Sequence, residues 1–221
     1  MIIWIASYPK SGNTWIRSFL TAYYFCENGI FDIKKLNLIE DYPNKQFFKG
    51  TVKQGEIHKH WETSQKDICD QKKVKFLKTH NSLITAYGND FTKPEYSLGV
   101  IYIIRDPRNV ITSVKNHNDL GTYDEALKFM QDENKVLDDY PHLKNYAKTN
   151  IVNSWRINYQ SWISNKSFRR ITIRYEDMVK DPNQTFTRLV LFINTLMKFD
   201  NKIDSKKLKN SIKSTDFKNL Q

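Results

Sequence analysis

Residues 7–15 hold the first side chains that could do chemistry, in the order Ser-Tyr-Pro-Lys-Ser-Gly-Asn-Thr-Trp. They follow a continuous apolar run and lead into a stretch with helical spacing of apolar residues. A glycine turn that opens a helix presents backbone N–H groups and the positive end of the helix to an anion. Lys10 adds a positive charge and Thr14 a hydroxyl group. We therefore predict an anion-binding loop, rather than an ordinary strand–turn–helix corner, formed by Lys10, Ser11, Gly12, Asn13 and Thr14.

The predicted loop is P-loop-like, but it departs from the GxxxxGK[ST] pattern of nucleotide-binding P-loops. In that pattern a lysine and a hydroxyl residue directly follow the glycine and hold a nucleotide with its magnesium ion. Here Asn13 and Thr14 follow Gly12, and the lysine precedes the glycine. The loop thus lacks the pair of residues that holds magnesium, and we predict no metal in this site.

An arginine and a serine form the second group. Arg105 directly follows the apolar run 100–104, and Asp106-Pro107 is typical of a helix N-cap followed by proline in the first turn. Ser113 then lies about two turns into that helix. Both side chains can therefore face one ligand at the end of a strand. A guanidinium group together with a serine hydroxyl is well suited to binding a phosphate.

A histidine stands at the end of a further apolar run, 74–77, in the order Lys78-Thr79-His80. Imidazole titrates near neutrality, so His80 beside an acceptor hydroxyl could remove its proton. We expect Lys78 to lower the pKa of His80, because a nearby positive charge disfavours the imidazolium form. His58 and His60 also form a pair, but no further ligands accompany them, so we predict no metal site there.

The elements that must position these groups are short buried strands that alternate with helices. Strands are predicted at 2–6, 74–77, 100–104 and 171–173. This alternation indicates an α/β domain with a mostly parallel central sheet, helices on both faces and a P-loop-like nucleotide-binding fold. Ligands bind at the carboxyl ends of the strands in such sheets.

Capping signals mark two of the predicted helices. Thr122 and Glu125 form a capping box before an amphipathic stretch, and Asp181-Pro182 with Gln184 opens another helix. A further helical face, predicted as core or pocket wall, contains Ile151, Trp155, Asn158, Tyr159 and Trp162. The polar segment 27–73 has no clear periodicity, and an insertion of this kind often lines a substrate cleft.

The composition favours one globular domain over residues 1–221. The net charge of +11 and the pI of about 9.4 favour an anionic partner, although scattered surface lysines alone can produce such an excess. Cys26 and Cys69 are far apart and have no metal or redox spacing, which indicates a reducing compartment. The sequence contains no signal peptide and no apolar run of membrane-spanning length. We therefore predict a cytoplasmic protein without a membrane span.

The segments "YPKSGNTW" and "IIRDPRNVITSV" resemble two sites of the sulfotransferases that use 3′-phosphoadenosine 5′-phosphosulfate (PAPS). The first resembles the loop that binds the 5′-phosphosulfate, and the second resembles the segment that binds the 3′-phosphate. "KTH" matches the strand end where that family keeps its catalytic histidine, and "YEDM" matches a segment near the nucleotide. Segment 214–220, "STDFKNL", weakly resembles the part of the family beside the adenine.

This resemblance implies a function and a set of site residues. The chain would transfer a sulfuryl group from PAPS to a hydroxyl or amine of a small-molecule or glycan acceptor, without a metal. The implied catalytic residues are Lys10, which stabilises the leaving group, His80 as general base, and Lys78. The implied donor-binding residues are Lys10, Ser11, Gly12, Asn13, Thr14, Trp15, Arg105, Ser113 and Tyr175, with Trp15 stacking on the adenine.

Two features depart from the family pattern. Asn13 stands where the family usually has threonine, which a loop of backbone donors tolerates. The family also continues into an Arg-Lys-Gly stretch that holds the 3′-phosphate, whereas this sequence ends at Gln221 before such a stretch. We expect either a truncated chain or a less complete hold on the nucleotide.

Two other functions are compatible with parts of the sequence. A P-loop-type nucleoside or small-molecule kinase would use a similar loop, but it needs the lysine and hydroxyl residue after the glycine. A basic nucleic-acid-binding module would fit the net charge, but it needs a basic stripe interleaved with stacking aromatics, which we do not find. We therefore predict no nucleic-acid partner. The acceptor and the oligomeric state have no signal in the sequence.

Overall fold

The computed structural model describes residues 1–138, 144–200 and 202–216. Its strands, in chain order, are β1 (Ile2–Ser7), β2 (Glu40–Asp41), β3 (Lys75–Thr79), β4 (Thr85–Ala86), β5 (Asn89–Asp90), β6 (Ser97–Ile104), β7 (Val136–Leu137), β8 (Asn150–Ile151) and β9 (Arg170–Arg174). Within the described residues, five strands form a central sheet in the order β2-β3-β1-β6-β9. Every neighbouring pair in this sheet is parallel. The predicted α/β class and parallel sheet are confirmed.

Helices connect these strands. They are α1 (Asn13–Leu20), α2 (Trp61–Asp70), α3 (Pro107–His117), α4 (Tyr123–Gln131), α5 (Trp155–Ser164), α6 (Tyr175–Lys180), α7 (Pro182–Met197) and α8 (Ser205–Ser214). The predicted caps are present: Asp106 accepts a hydrogen bond from the Arg108 N–H, Thr122 and Glu125 form a capping box, and Asp181 caps α7. No helix in the described ranges combines the length and the apolar character that crossing a bilayer would require.

Both faces of the sheet are covered, which explains why the central strands are apolar at consecutive positions. On one face, Ile3 and Ile5 pack against α1 and α7. On the other face, Trp4 and Tyr102 pack against residues of α2 and α5. Because the strands are parallel, their carboxyl ends lie together at one edge of the sheet, which the covering helices leave accessible.

The predicted helical face around Trp155 is partly wrong. Ile151 lies in strand β8, and α5 begins only at Trp155 because the Ser154 side chain caps the helix by accepting from the Ile157 N–H. Trp162 is buried in the core as predicted, whereas Trp155 is only partly buried and stacks on Tyr159.

The polar segment 27–73 contains one sheet strand that the sequence did not indicate. The two residues of β2 pair with Leu77 and Lys78 of β3 at one edge of the sheet. A strand of two polar residues has no period that could reveal it. Its position matters because it brings a carboxylate, Asp41, to the same edge as the predicted site.

Candidate functional site

A cavity of about 680 Å³ lies at the carboxyl ends of β1, β3 and β6. The predicted site residues that line it are Lys10, Gly12, Asn13, Thr14, Trp15, Lys78, His80, Arg105, Ser113 and Tyr175. Ser11 belongs to the same loop but is fully buried and is not part of the cavity wall. The structure thus brings together residues that four separate segments of the sequence supply.

The anion loop has an unusual backbone conformation that its glycine allows. Gly12 has φ of +98°, and Lys10 is also in the left-handed region with φ of +67°. Gly12 also packs closely on the Tyr175 ring, since a Cβ atom built on it would lie 2.6 Å from Cδ2 of that ring. Only glycine combines this dihedral angle with this contact. The turn leads directly into α1, whose first residues, Asn13 and Thr14, line the cavity.

The side chain of Asn13 supports the loop from behind. Its Nδ2 donates to the Ile5 carbonyl at 3.1 Å and to Ser7 Oγ at 3.1 Å. Asn13 is almost fully buried, so its side-chain donors are used within the protein. What Asn13 can offer to a ligand is therefore its backbone N–H in the first turn of α1.

Arg105, which follows β6, links the anion loop to Tyr175, which follows β9. Its Nη1 donates to the Lys10 carbonyl at 3.0 Å, and its guanidinium lies 4.2 Å from the centroid of the Tyr175 ring. Tyr175 in turn packs on Gly12 and meets Trp15 edge-to-face. Arg105, Tyr175 and Trp15 thus form one packed unit around the loop, and stacking of this kind holds the guanidinium plane in a defined orientation.

The ring of His80 is fixed by hydrogen bonds to Ser7. Nδ1 lies 2.8 Å from the Ser7 carbonyl oxygen. A carbonyl oxygen only accepts, so Nδ1 carries the proton and donates it to this bond. In the neutral ring, Nε2 is then the unprotonated nitrogen.

Burial lowers the pKa of His80 well below its usual value, and the positive charge of Lys78 lowers it further. The hydrogen bond to the Ser7 backbone opposes this shift, while Arg17 and Lys10 add to it. The predicted effect of Lys78 has the right direction, although burial is the larger cause. His80 is therefore neutral at pH 7, with an imidazole nitrogen that can accept a proton.

Two charged residues of the site were missed. Arg17 lies one turn after Asn13 on α1 and lines the cavity. Its guanidinium is 3.1 Å from Asp41 Oδ1, and its Nη2 donates to the Ile39 carbonyl at 2.6 Å. Lys78 Nζ lies 3.6 Å from the same Asp41 oxygen. Asp41 therefore joins two cations beside His80.

The sequence offered a weak signal for Arg17 and none for Asp41. Residues four positions apart lie on the same side of a helix, so Arg17 could have been placed beneath Asn13. Asp41 belongs to a strand of two residues in a segment without periodicity. Its contact with Lys78 depends on the pairing of β2 with β3, which local sequence does not encode.

The histidine pair of the polar segment packs against aromatic rings. His58 lies 4.9 Å from the Tyr87 ring centroid, and His60 lies 5.7 Å from that of Phe48. Across 1–138, 144–200 and 202–216, no three His, Cys, Asp or Glu side chains are grouped as a metal site. The resemblance places segment 214–220 beside the adenine. Residues 217–220 of this segment lie outside the described residues.

Comparison with known proteins decides the family. The family model described as "Sulfotransferase domain" matches residues 2–221. The chain belongs to the sulfotransferase domain family. The resemblance seen in the sequence is thereby confirmed at the level of the family.

Among curated proteins, this sulfotransferase-family chain is similar to Sulfotransferase 1 family member D1 of Mus musculus, with 26% identity over 203 residues. The protein of the same name from Rattus norvegicus matches with the same identity and length. The aligned residues cover 86% of this chain and 58% of either relative. The chain therefore spans somewhat more than half the length of the curated relatives it matches.

Solved structures show the same fold at low identity. Mouse sulfotransferase SULT7A1 complexed with PAP is similar with a TM-score of 0.58 and 17% identity. Retinol dehydratase in a complex with retinol and PAP is similar with a TM-score of 0.60 and 14% identity. Either match covers 99% of this chain and 65% of the solved chain. At these identities the comparison establishes the shared fold.

The packing of Gly12 on Tyr175 predicts a specific cost for alanine. Gly12→Ala should lower the free energy of unfolding through backbone strain of about 1–2 kcal/mol and, in addition, through overpacking against the ring. Gly50 is a matched control, because it has φ of +90° and, apart from its chain neighbours, no atom of the described residues lies within 4 Å of its added Cβ. Urea unfolding should show that Gly12→Ala loses at least about 1 kcal/mol more than Gly50→Ala. Equal losses would contradict the close contact.

Proposed function

We propose that this chain transfers a sulfuryl group from PAPS to a hydroxyl or amine of a small-molecule or glycan acceptor. The proposal is based on the fact that the same cavity is lined by the anion loop, by Arg105 and Ser113, and by His80, whose Nε2 is unprotonated. Membership of the sulfotransferase family supports this reading of the cavity. The solved neighbours bound to PAP support adenosine 3′,5′-bisphosphate, the product that PAPS leaves, as the ligand.

The residues of the cavity fit a phosphorylated nucleotide. Trp15 Nε1 and Arg105 Nε belong to residues that line the cavity, are buried, and have no hydrogen-bond partner among the described residues. Both atoms can donate, and buried donors without acceptors cost stability unless a ligand satisfies them. An anion with several acceptor oxygens would satisfy such a set. We propose that the loop holds the 5′ side of PAPS and that Arg105 and Ser113 hold its 3′-phosphate.

Lys10 is proposed to stabilise the charge that develops on the leaving group. Burial lowers its pKa, and the neighbouring Arg105 adds to this effect by repulsion. A bound anion would favour the protonated form of Lys10, because an opposite charge offsets both effects. When bound, PAPS supplies an activated sulfuryl group whose departure leaves negative charge on the bisphosphate. A positive charge placed in advance at that point stabilises the transition state.

His80 is proposed to act as the general base. Its Nε2 is unprotonated at neutral pH and can take the proton of the acceptor hydroxyl. Lys78, held beside it by Asp41, keeps positive charge close to the point of transfer. The division of labour is then spatial: β1 and β6 supply the donor site, whereas β3 supplies the base.

The 3′-phosphate assignment predicts selective binding losses. Ser113→Ala should weaken binding of adenosine 3′,5′-bisphosphate about 10- to 100-fold, the value of one hydrogen bond to a charged group, and leave binding of adenosine 5′-phosphate nearly unchanged. Arg105→Ala should weaken binding of both ligands, because Arg105 also donates a hydrogen bond to the Lys10 carbonyl. The loss of affinity should be larger for the bisphosphate. Calorimetry measures both affinities, and equal losses for the two ligands in Ser113→Ala would remove Ser113 from the 3′-phosphate site.

The base assignment predicts a loss of transfer without a loss of binding. His80→Ala should lower kcat about 10²- to 10⁴-fold, while the bisphosphate binds nearly as in the wild type. The wild-type rate should fall as the pH decreases, with a midpoint below about 6.5 because the pKa of His80 is lowered. Release of bisphosphate from PAPS with a panel of alcohols and phenols measures the rate. His60→Ala, on the polar segment, is the matched control and should remain active. A folded His80→Ala protein with near-normal transfer would exclude His80 as the base.

A further inference from the structure

We propose that Ser7 and Asn13 are positioning residues, which hold the His80 ring with Nε2 toward the acceptor and join the base to the anion loop. The inference rests on the proposed function. It is based on a continuous set of buried hydrogen bonds behind the site. Asn13 begins α1, Ser7 ends β1, and His80 follows β3, so the connection crosses three elements that meet at one edge of the sheet.

The His80 ring meets Ser7 at two atoms. Nδ1 lies 2.8 Å from the Ser7 carbonyl oxygen and 3.3 Å from Ser7 Oγ. Since Nδ1 carries the proton, both oxygens act as acceptors toward it. Ser7 is fully buried, so neither oxygen exchanges its contact for bulk water. The two acceptors fix both the tautomer and the rotation of the ring.

Asn13 fixes the Ser7 hydroxyl in turn. The Asn13 amide has two hydrogens, and its Nδ2 contacts the Ile5 carbonyl and Ser7 Oγ. The Ile5 oxygen can only accept, which sets the orientation of the amide and leaves its second hydrogen for Ser7 Oγ. The Ser7 hydroxyl oxygen is thus held toward His80. Asn13 also has a backbone N–H at the start of α1, in the proposed donor site. The same residue thus contributes to the donor site and, through Ser7, to the orientation of the proposed base.

Other contacts of His80 hold its backbone and not its ring. The His80 N–H donates to Asn150 Oδ1 at 3.2 Å, and the His80 carbonyl accepts from Asn158 Nδ2 at 3.0 Å. These bonds place the residue at the end of β3 but leave the rotation of the imidazole open. Orientation of the ring therefore depends on Ser7, and through Ser7 on Asn13.

The arrangement also bears on the proton that His80 accepts. Protonation of Nε2 makes the ring positive, and oxygen acceptors at Nδ1 stabilise that charge. The positive charges that act on the ring are those of Lys78 on β3, Arg17 on α1 and Lys10 in the loop after β1. Asp41 offsets two of them, since it pairs with Arg17 and Lys78. Removal of one oxygen acceptor should therefore make His80 a weaker base.

The test compares Ser7→Ala and Asn13→Ala with a matched buried serine. Ser18 is also fully buried, but its Oγ has no hydrogen-bond partner among the residues that the structure describes, so Ser18→Ala is the control. We expect kcat to fall about tenfold in Ser7→Ala, with bisphosphate affinity within about twofold of wild type. The acid limb of the kcat profile should move to lower pH in Ser7→Ala. Asn13→Ala should show the same changes to a smaller extent, and Ser18→Ala should show none of them.

Nitrogen-15 NMR of the imidazole gives a readout that does not depend on activity. The wild-type His80 ring should carry its proton on Nδ1 at neutral pH, and Ser7→Ala should shift part of the population to the Nε2-protonated tautomer. A wild-type ring protonated on Nε2 would overturn the inference even if no variant folds. An unchanged pH profile and tautomer in folded Ser7→Ala would also overturn it. Absence of transfer in the wild type would contradict the proposed function instead, and the NMR result would still test the positioning.

Discussion

The guanidinium of Arg105 is the contact on which the arrangement of the site depends. It bonds the Lys10 carbonyl and stacks on the Tyr175 ring, which in turn rests on Gly12. Through these contacts the ends of β6 and β9 hold the loop after β1 in a conformation that leaves Lys10 and Gly12 at positive φ. The backbone of this loop is therefore preorganised, as stabilisation of a developing charge requires.

The balance of charge would allow one cavity to hold both the proposed donor and the proposed acceptor. Lys10 and Arg105 stand close together without a carboxylate between them in the contacts that the structure describes, and their proximity lowers the pKa of Lys10. Arg17 and Lys78 share Asp41 on the other side of the cavity. The less compensated cations lie at the anion loop, whereas the paired cations surround the neutral His80. This separation favours an anion at the loop and an uncharged base beside it.

Much of the fold could be predicted because its signals are local. Runs such as residues 2–6 are apolar at every position, as is typical of strands buried on both faces, and Asp106-Pro107 caps α3 as its chemistry indicates. Lys10, Arg105 and His80 could be placed in one site because each follows a strand, and parallel strands end at the same edge. The resemblance to a known family supplied their expected roles, which local chemistry alone left open.

The remaining features depend on contacts between segments that are distant in sequence. Asp41 reaches Lys78 only through the pairing of β2 with β3, and nothing in a polar strand of two residues predicts that pairing. The role of Asn13 depends on its two buried acceptors, the Ile5 carbonyl and Ser7 Oγ. These contacts form only when α1 packs against β1, so the sequence does not reveal them. Ile151 was assigned to a helix because its spacing fits one, whereas pairing with Val136 makes it a strand residue.

The loop after β1 is proposed to bind a 3′-phosphorylated adenine nucleotide without help from a metal. Calorimetry of the full chain with adenosine 3′,5′-bisphosphate in the presence of a chelator tests it most directly, with ATP plus magnesium and a short oligonucleotide as the other ligands. We expect the bisphosphate to bind much more tightly than either other ligand, and we expect the chelator to leave its affinity unchanged. Tighter binding of ATP that requires magnesium would contradict this expectation and indicate a kinase, and tighter binding of the oligonucleotide would indicate a nucleic-acid-binding protein.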